Sequence, residues 1–363
     1  MMVLSQKTYQ ITDDVRLFFT DSGAPPDSTD YTTIVAVHGF GFSGVCFEKL
    51  QSQAHAYNLR VVALNRRDYA GSTPFSDDEL DALKGGDDTR ARGSIERLGL
   101  HIALFLRKFV EEEGVPSVTN AGNGRKRGGL AVMGWSMGAL TAIAPFANPN
   151  ALGEETYGVL KGYIRDLILY DPPFIVLGLP IPTSINPEKL HFPHAPPNVK
   201  HREPQEIFEN FVRFVGSRYQ YEIRDGVATP ASIEESGSLP RTEQCVMDLW
   251  SRDEFERLTD VAASMGADML LLGWQGLLNE TTQKVLFDEK VAKTFFPELK
   301  ITHFSAPHSF WMTGVACMEI RRMYREKEAV VRPIEFVELE GADHFVHYTD
   351  PESLLKVVKG VVT

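Results

Sequence analysis

A serine lies between two glycines directly after a short apolar run, in the segment AVMGWSMGAL at residues 131–140. The spacing Gly134-x-Ser136-x-Gly138 is that of a nucleophile elbow, in which a strand turns sharply into a helix and exposes a hydroxyl at the end of a sheet. Glycines are needed there because a side chain would block the close approach of strand and helix. The pattern also arises by chance, so Ser136 is a candidate nucleophile whose role depends on its partners.

Apolar runs rich in β-branched residues predict buried parallel strands on both sides of this serine. The runs are TTIVAVHGF, LRVVALNRRDYAGST, GGLAVMGWSMG, DLILYDPP, LKITHFSAP and RPIEFVELEG. Between them, SIERLGLHIALFLRKFVEEEG repeats apolar residues every three or four positions, which is the helical period. KTYQIT and VRLFFT predict an opening hairpin about Asp13 and Asp14. Strands that alternate with helices predict an α/β fold with a doubly wound, mostly parallel sheet.

The segment from Pro172 to about residue 298 is much longer than a connection between two strands requires. The segment from Pro172 to Pro204 contains nine prolines, counting both ends, so we expect its first part to cross the surface without regular structure. Helices are then predicted in REPQEIFENFVRFVGSRY and RTEQCVMDLWSRDEFERLTDVAASM. We expect residues 1–171 and 299–363 to form the core domain, and residues 172–298 to form an inserted helical cap.

Composition and charge exclude several classes of protein. The 363 residues are 43% hydrophobic and 24% charged, as in ordinary globular domains. A net charge of −12 disfavours nucleic acids and anionic membranes as partners. No run approaches the roughly 18 apolar residues of a membrane span, and the first residues become polar too soon for a secretion signal. The three cysteines leave one unpaired in any disulfide scheme, so we expect a cytoplasmic protein. The sequence does not indicate an oligomeric state.

Several weak motifs follow the predicted strands in one consistent order. HGFGFSG follows the third strand, NRRDYAGST the fourth, GWSMG the fifth and GADHFVHYTDPESL the last. In this order the sequence resembles the α/β-hydrolase superfamily, over nearly the whole chain apart from the insert. It is more similar to the capped esterases, lactonases and carbon–carbon-bond hydrolases than to the uncapped lipases. The resemblance implies an α/β-hydrolase sheet, a cap and a catalytic triad.

The resemblance implies the chain order serine, acid, histidine for that triad. His344 in EGADHFVH occupies the position of the base, and His347 is the alternative. Most members carry the acid after the penultimate strand, but here that loop reads HFSAPHSFWM, and the first carboxylate downstream is Glu319. Some capped members carry it at the end of the strand before the cap, where this chain has Asp171. An aspartate before Pro-Pro is also a good turn former, so a structural role for Asp171 stays open.

The resemblance also implies an oxyanion hole made by the main-chain N–H groups of Phe40 and Met137. We expect Phe40, Phe42 and Trp135 to flank the serine and to contact the substrate. His308, in the loop that usually carries the acid, is expected to line the pocket. Aromatic residues at these positions imply an apolar substrate.

Other chemistry is less well supported. HGFGFSG lacks the lysine and the glycine spacing of a phosphate-binding loop. The cluster of His191, His194 and His201 lies in the proline-rich segment without the matching ligands of a zinc site, so no metal or other cofactor is predicted. GNGRKRGG at residues 122–129 is interpreted as a solvated loop.

The sequence thus predicts a serine hydrolase that cleaves a small, largely apolar ester or lactone through an acyl-enzyme, without a cofactor. Epoxide and haloalkane chemistry is disfavoured because those superfamily members use an aspartate where this chain has Ser136. Two alternatives stay open. The same residues could serve a carbon–carbon-bond hydrolase, and the fold also includes non-hydrolytic ligand binders and isomerases of secondary metabolism.

Overall fold

A computed structural model describes residues 4–122, 125–192, 203–327 and 332–362. The strands within these ranges are β1 (Ser5–Gln10), β2 (Arg16–Asp21), β3 (Thr32–Val37), β4 (Leu59–Leu64), β5 (Thr119–Gly122), β6 (Arg125–Arg127), β7 (Leu130–Trp135), β8 (Ile164–Tyr170), β9 (Ile223–Arg224), β10 (Val227–Ala228), β11 (Lys300–Ser305) and β12 (Ile334–Glu338). Eight of them form one sheet in the order β1-β2-β4-β3-β7-β8-β11-β12. β5–β6 and β9–β10 form two small separate sheets.

The large sheet is antiparallel at one edge and parallel elsewhere. β1 pairs antiparallel with β2, and β2 pairs antiparallel with β4. From β4 to β12 every neighbouring pair is parallel. The opening hairpin and the mostly parallel sheet predicted from the sequence are therefore confirmed. Because parallel strands end at the same edge, the loops that follow β3, β7 and β8 meet there.

The central strands are mostly apolar and are buried along their whole length. All six residues of β3, β4 and β7 and all seven of β8 are buried. Strands buried on both faces are expected in a sheet that is covered by helices on its two sides. The continuous apolar runs in the sequence reflect this arrangement.

The helices are α1 (Glu48–Gln53), α2 (Asp77–Lys84), α3 (Asp88–Glu112), α4 (Gly138–Ile143), α5 (Pro149–Leu152), α6 (Glu154–Leu160), α7 (Pro204–Val215), α8 (Pro230–Gly237), α9 (Arg252–Leu258), α10 (Val261–Ala263), α11 (Met269–Leu272), α12 (Gln275–Phe287), α13 (Glu289–Thr294), α14 (Trp311–Arg325), α15 (Val346–Thr349) and α16 (Pro351–Val361). α1 contacts β4 and α16, whereas α4 contacts β7, β8 and α3. The predicted apolar stripe of α3 is buried throughout, at Ile95, Leu98, Ile102, Leu106 and Phe109.

The chain between Pro172 and Glu298 contributes helices and the small β9–β10 sheet, but among its described residues no strand of the large sheet. REPQEIFENFVRFVGSRY forms α7 as predicted. RTEQCVMDLWSRDEFERLTDVAASM is broken into several short helices instead of one. Ser251 and Asp260 each accept a hydrogen bond from a main-chain N–H three residues later, and so start new helices. α12 contacts α4 of the core, and the exact bounds of the cap stay a prediction.

Two further segments bear on the sequence predictions. In the basic segment at residues 122–129, Gly122 ends β5 and Arg125–Arg127 form β6, which pairs antiparallel with β5, so this part is strand and not irregular loop. Arg127 pairs with Asp30 at 3.1 Å. No single helix in the described ranges is long and apolar enough to cross a membrane. Two consecutive helical segments, Val261–Leu272 and Gln275–Phe287, reach that length and apolarity only when they are counted together, and the chain bends by 76° between them.

Candidate active site

Ser136 lies at the sharp turn between β7 and α4. Its φ of 54° is in the left-handed region, which is uncommon for a residue with a side chain and is typical of a nucleophile elbow. Its main-chain N–H donates to the Tyr170 carbonyl at 2.9 Å, so the turn is tied to the end of β8. The backbone therefore holds this serine in a conformation that a relaxed turn would not adopt.

The glycines around Ser136 are required by close approach. A Cβ added at Gly134 would lie 2.4 Å from the Gly138 carbonyl oxygen, and one at Gly138 would lie 2.2 Å from the Val37 carbonyl oxygen. A Cβ at Gly39, in the loop after β3, would lie 3.0 Å from the Ser136 Cβ. The loop after β3 is therefore packed directly against the serine.

Asp171 and His344 form a buried pair beside this turn. The Asp171 Oδ2 atom lies 2.6 Å from the His344 Nδ1 atom, and the two side chains are 1% and 2% exposed. The other carboxylate oxygen of Asp171 accepts a hydrogen bond from the Ala306 N–H at 3.2 Å. Asp171 follows β8 directly and has a φ of 49°. Its carboxylate is thus held from two sides in the orientation that meets the imidazole.

His344 has further contacts that fix its ring. Ser309 Oγ lies 3.3 Å from the same Nδ1 atom, and the Trp135 indole N–H donates to the His344 carbonyl at 2.9 Å. The Phe310 ring packs edge-on against the imidazole with centroids 4.9 Å apart. Ser309 was not predicted from the sequence; it lies in HFSAPHSFWM, the loop after β11 that contains no carboxylate. Within the described residues, the His344 side chain makes hydrogen bonds through Nδ1 only, to Asp171 and Ser309.

No hydrogen bond therefore joins Ser136 Oγ to His344 Nε2 among the described residues. Hydrogen bonds between a nucleophile and its base are often long in the absence of substrate and tighten in the complex. The structure thus brings Asp171 and His344 into direct contact and places Ser136 in the lining of a cavity.

An apolar cavity of about 380 Å³ opens on Ser136. This volume lies within the range of small-molecule sites. Its described lining comes from the core and from the insert, and consists of Phe40, Ser136, Met137, Pro173, Ile175, Val176, Phe192, Phe211, Met269, Leu272, Gly273, Phe310 and Met312. Ser136 is the one polar side chain in that lining. A ligand in this cavity would contact apolar side chains and a single hydroxyl.

The predicted pocket residues divide into two groups. Phe40 and Met137 line the cavity as expected. Phe42, Trp135 and His308 are absent from its described lining. Phe42 and Trp135 pack against each other, 2% and 0% exposed, beneath the His344 loop. His308 points to the insert instead, where its Nδ1 atom lies 2.8 Å from the Tyr219 carbonyl oxygen.

His347, the alternative base, is buried against the Trp135 ring. Its Nδ1 atom lies 3.0 Å from the Tyr170 hydroxyl, and burial holds its pKa well below the usual value. This histidine supports the loop and does not reach the cavity lining. Of the histidines considered for a metal, His194 and His201 lie outside the described residues. Within the described ranges, no group of three or more His, Cys, Asp or Glu side chains is placed to hold a metal ion.

Comparison with known proteins gives one family. Residues 34–357 match the model of the Alpha/beta hydrolase family. Similar solved structures include an epoxide hydrolase, CorEH without ligand, at 14% identity and a TM-score of 0.52, covering 98% of this chain and 97% of that one. A mutant of VrEH2 is similar at 11% identity and a TM-score of 0.51, over 100% and 99% of the two chains. These identities show a shared fold alone. No curated protein sequence matches the chain.

Proposed function

Because the chain belongs to the alpha/beta hydrolase family, we propose that it is a serine hydrolase that cleaves a neutral, largely apolar ester or lactone. Ser136 is the nucleophile, His344 the base and Asp171 the acid that orients it. The observation that carries this proposal is the position of the Ser136 hydroxyl, the one polar side chain in the described lining of an apolar cavity. An apolar wall favours an apolar substrate, and the hydroxyl is the group that could react with it.

The first half of the proposed reaction forms an acyl-enzyme. Ser136 Oγ bonds to the carbonyl carbon of the substrate while its proton passes to His344 Nε2. The Asp171 carboxylate accepts the hydrogen bond from Nδ1–H and stabilises the imidazolium that forms. The main-chain N–H groups of Phe40 and Met137 stabilise the oxyanion. His344 then gives the proton to the leaving oxygen as the carbon–oxygen bond breaks.

The second half returns the enzyme to its starting state. A water molecule loses a proton to His344 and attacks the acyl carbon, and the proton then passes to Ser136 Oγ as the acid leaves. The 2.6 Å contact between Asp171 and His344 supports this scheme because it fixes the tautomer in which Nε2 can accept a proton. The imidazole can therefore act as a base in both halves.

Steady-state hydrolysis of p-nitrophenyl esters and aryl-substituted lactones tests the proposal. We expect turnover by the wild-type protein and its loss, by at least about 10³-fold, in Ser136→Ala. Ser94→Ala is a matched control, because Ser94 is a buried serine of α3 whose hydroxyl, among the described residues, bonds only the Arg90 carbonyl and the Arg97 guanidinium. The control should keep wild-type rates.

Other outcomes would favour the alternatives. The panel includes an epoxide and a β-diketone, because one similar structure is an epoxide hydrolase and the same residues could cleave a carbon–carbon bond. Turnover of either substrate without ester hydrolysis would reassign the reaction. Hydrolysis that survives in Ser136→Ala would contradict the proposal. A folded protein that binds apolar ligands but turns over none of these substrates would favour a binding function.

A further inference from the structure

A cluster of three buried polar side chains lies against the loop that follows β3. Arg66, Tyr69 and Asp268 are 4%, 0% and 3% exposed. The Arg66 guanidinium makes two parallel contacts with the Asp268 carboxylate, at 2.6 and 2.7 Å, and the Tyr69 hydroxyl donates to Asp268 Oδ2 at 2.6 Å. We call these residues the Arg66 cluster. A buried cation of this kind needs such a partner, because an unpaired charge in the interior is costly.

The charge state of the cluster follows from its contacts. Burial alone would lower the pKa of Arg66, but the Asp268 carboxylate and the neighbouring tyrosine oxygen raise it, so the guanidinium stays charged. Burial and the Asp268 carboxylate hold the pKa of Tyr69 well above its usual value, so its hydroxyl keeps its proton. Tyr69 can therefore donate to Asp268 and accept from a neighbouring N–H at the same time.

Two members of the cluster bind the main chain on either side of Phe40. Arg66 Nη2 donates to the Gly39 carbonyl at 3.0 Å, and the Gly41 N–H donates to the Tyr69 hydroxyl at 2.8 Å. His38 adds a second contact, since its Nδ1 atom lies 3.0 Å from the same Gly39 oxygen. The Nε2 atom of His38 accepts a hydrogen bond from the main-chain N–H of Arg66 at 3.0 Å, so the ring hydrogen of His38 lies on Nδ1.

These contacts fix the direction of one particular N–H group. The peptide bond between Gly39 and Phe40 is planar and trans, so its carbonyl and its N–H point in opposite directions. Two donors that hold the Gly39 oxygen therefore also hold the orientation of the Phe40 N–H. This N–H is one of the two proposed oxyanion donors, and its loop packs against Ser136. Productive sites tolerate errors of only about 0.5 Å or 10–20° in such groups.

The carboxylate of the cluster comes from the insert, 202 residues away from Arg66 in the chain. Met269, the next residue, lines the cavity. One short segment thus supplies both the counter-ion of Arg66 and part of the cavity wall. This ion pair joins the cavity wall to the oxyanion loop, beside two main-chain hydrogen bonds between the insert and that loop, from the Asp260 N–H to the Gly41 carbonyl at 2.9 Å and from the Ser43 N–H to the Leu258 carbonyl at 3.0 Å.

We propose that Asp268, Arg66 and Tyr69 are positioning residues that aim the Phe40 N–H at the reacting carbonyl oxygen. This inference rests on the proposed function and names part of the machinery that supports it. The cluster acts on the oxyanion that forms during the reaction and not on the apolar part of the substrate. Its loss therefore lowers kcat and leaves KM nearly unchanged.

The test uses Asp268→Asn and Tyr69→Phe in the full-length chain with a p-nitrophenyl ester. Removal of a whole oxyanion donor costs about 10²–10³-fold, so a misaimed donor is expected to lower kcat about 10- to 100-fold. KM should change less than about threefold. The inhibition constant of a trifluoromethyl ketone, whose hydrated or serine-bound form mimics the oxyanion, should rise in parallel with the loss of kcat. Tyr69→Phe keeps the ion pair, so it carries the test if Asp268→Asn does not fold.

Asp21→Asn is the matched control. Asp21 pairs with Arg60 in a second buried ion pair, with 2% and 4% of the two side chains exposed and Arg60 Nε 2.9 Å from Asp21 Oδ1. Arg60 lies at the start of β4, whereas Arg66 follows its end. Asp21→Asn should lower the melting temperature without changing kcat or ketone inhibition.

The outcomes separate this inference from the proposed function. Serine-dependent turnover with wild-type kcat and ketone affinity in both cluster variants would overturn the positioning role and leave the proposed function standing. An equal loss of kcat in Asp21→Asn would overturn it too, because general destabilisation would then explain the effect. A wild-type protein without serine-dependent turnover would overturn both.

Discussion

Asp171 Oδ2 lies 2.6 Å from His344 Nδ1, although 173 residues separate them in the chain. The carboxylate comes from the end of β8, before the insert, and not from the loop after β11. In that loop Ser309 lies 3.3 Å from the same nitrogen and supplies a hydroxyl in place of a carboxylate. The imidazole is therefore oriented by one strong and one weaker partner.

The first prediction concerns the charge at position 171. Asp171→Asn keeps the shape of the side chain but removes the carboxylate. His344 can then adopt the tautomer with its hydrogen on Nε2, which cannot accept the proton of Ser136. In a comparable triad this change lowers kcat about 10⁴-fold, and we expect a loss of about 10³- to 10⁴-fold in ester hydrolysis. Initial rates at saturating ester measure it.

Ser309→Ala is the comparison for this variant. It removes the longer contact to the same Nδ1 atom, and a loss of less than about tenfold is expected because a neutral hydrogen bond contributes about 1 kcal/mol. If Asp171→Asn retained kcat within threefold of the wild type while folded, another group would have to orient His344.

The second prediction concerns Trp135, which was expected to contact substrate and instead donates to the His344 carbonyl. Trp135→Phe removes this hydrogen bond and part of the buried ring. We expect kcat to fall about 3- to 10-fold, since one hydrogen bond contributes about 0.5–1.5 kcal/mol. KM should stay within twofold. Trp274→Phe removes a similar bond, to the Leu83 carbonyl at 2.8 Å, and should leave kcat unchanged. A raised KM with normal kcat in Trp135→Phe would restore its role in substrate contact.

The third prediction concerns substrate charge. The described cavity wall has no charged side chain, so a carboxylate at the end of the acyl chain would be buried without a partner. We expect kcat/KM for p-nitrophenyl hexanoate to exceed that for the ester with a terminal carboxylate by about 10²-fold or more. Leu272→Lys places a cation in the wall and should reduce this ratio about tenfold.

Leu249→Lys is the control for this experiment, because Leu249 is 65% exposed and lies outside the described cavity lining. It should keep the wild-type ratio. Equal kcat/KM values for the neutral and the charged ester in the wild-type protein would show that the acyl chain does not occupy this cavity.

The fourth prediction concerns stability at acid pH. His303 is buried, both of its ring nitrogens lack a partner among the described residues, and burial lowers its pKa to about 4. Between pH 6.5 and about 4 the unfolded chain binds a proton at this histidine and the folded chain does not. The free energy of unfolding therefore falls as the pH falls through this window, by up to about 3 kcal/mol from this group.

Urea unfolding of His303→Leu at several pH values between 7 and 4 measures this effect. The variant should lose less stability than the wild type over that range. Phe336→Leu, which alters the ring packed against His303, should lower stability by a similar amount at every pH. An unchanged pH dependence in His303→Leu would mean that this histidine binds its proton equally in both states.

Ser136 and Asp171 could be located from the sequence because each directly follows a buried strand at a recognisable turn. His344 comes six residues after β12, which carries two glutamates, so its role, like that of Asp171, was inferred from the resemblance to α/β hydrolases. Local sequence sets such turns, and parallel strands bring their carboxyl ends together. The orientation of Trp135 could not be predicted in this way. It depends on which side of β7 the ring packs, and continuous apolar strands carry no alternation that would reveal it.

The Arg66 cluster was missed for a different reason. Its ion pair joins a residue after β4 to one in the insert, and no local pattern links them. The run NRRD directly after a buried strand was the available signal, since charged side chains at a buried sheet edge require partners. The sequence could have indicated that a partner exists, but not that Asp268 supplies it.

The most direct test of the proposed function is covalent labelling by a fluorophosphonate, which needs an activated hydroxyl and not only an intact cavity. Peptide mass spectrometry should find one adduct, on Ser136, that is lost in Ser136→Ala and forms at least about 10²-fold more slowly in His344→Gln. A folded wild-type protein that remains unlabelled, or carries the label on another residue, would contradict the assignment of Ser136 as the nucleophile.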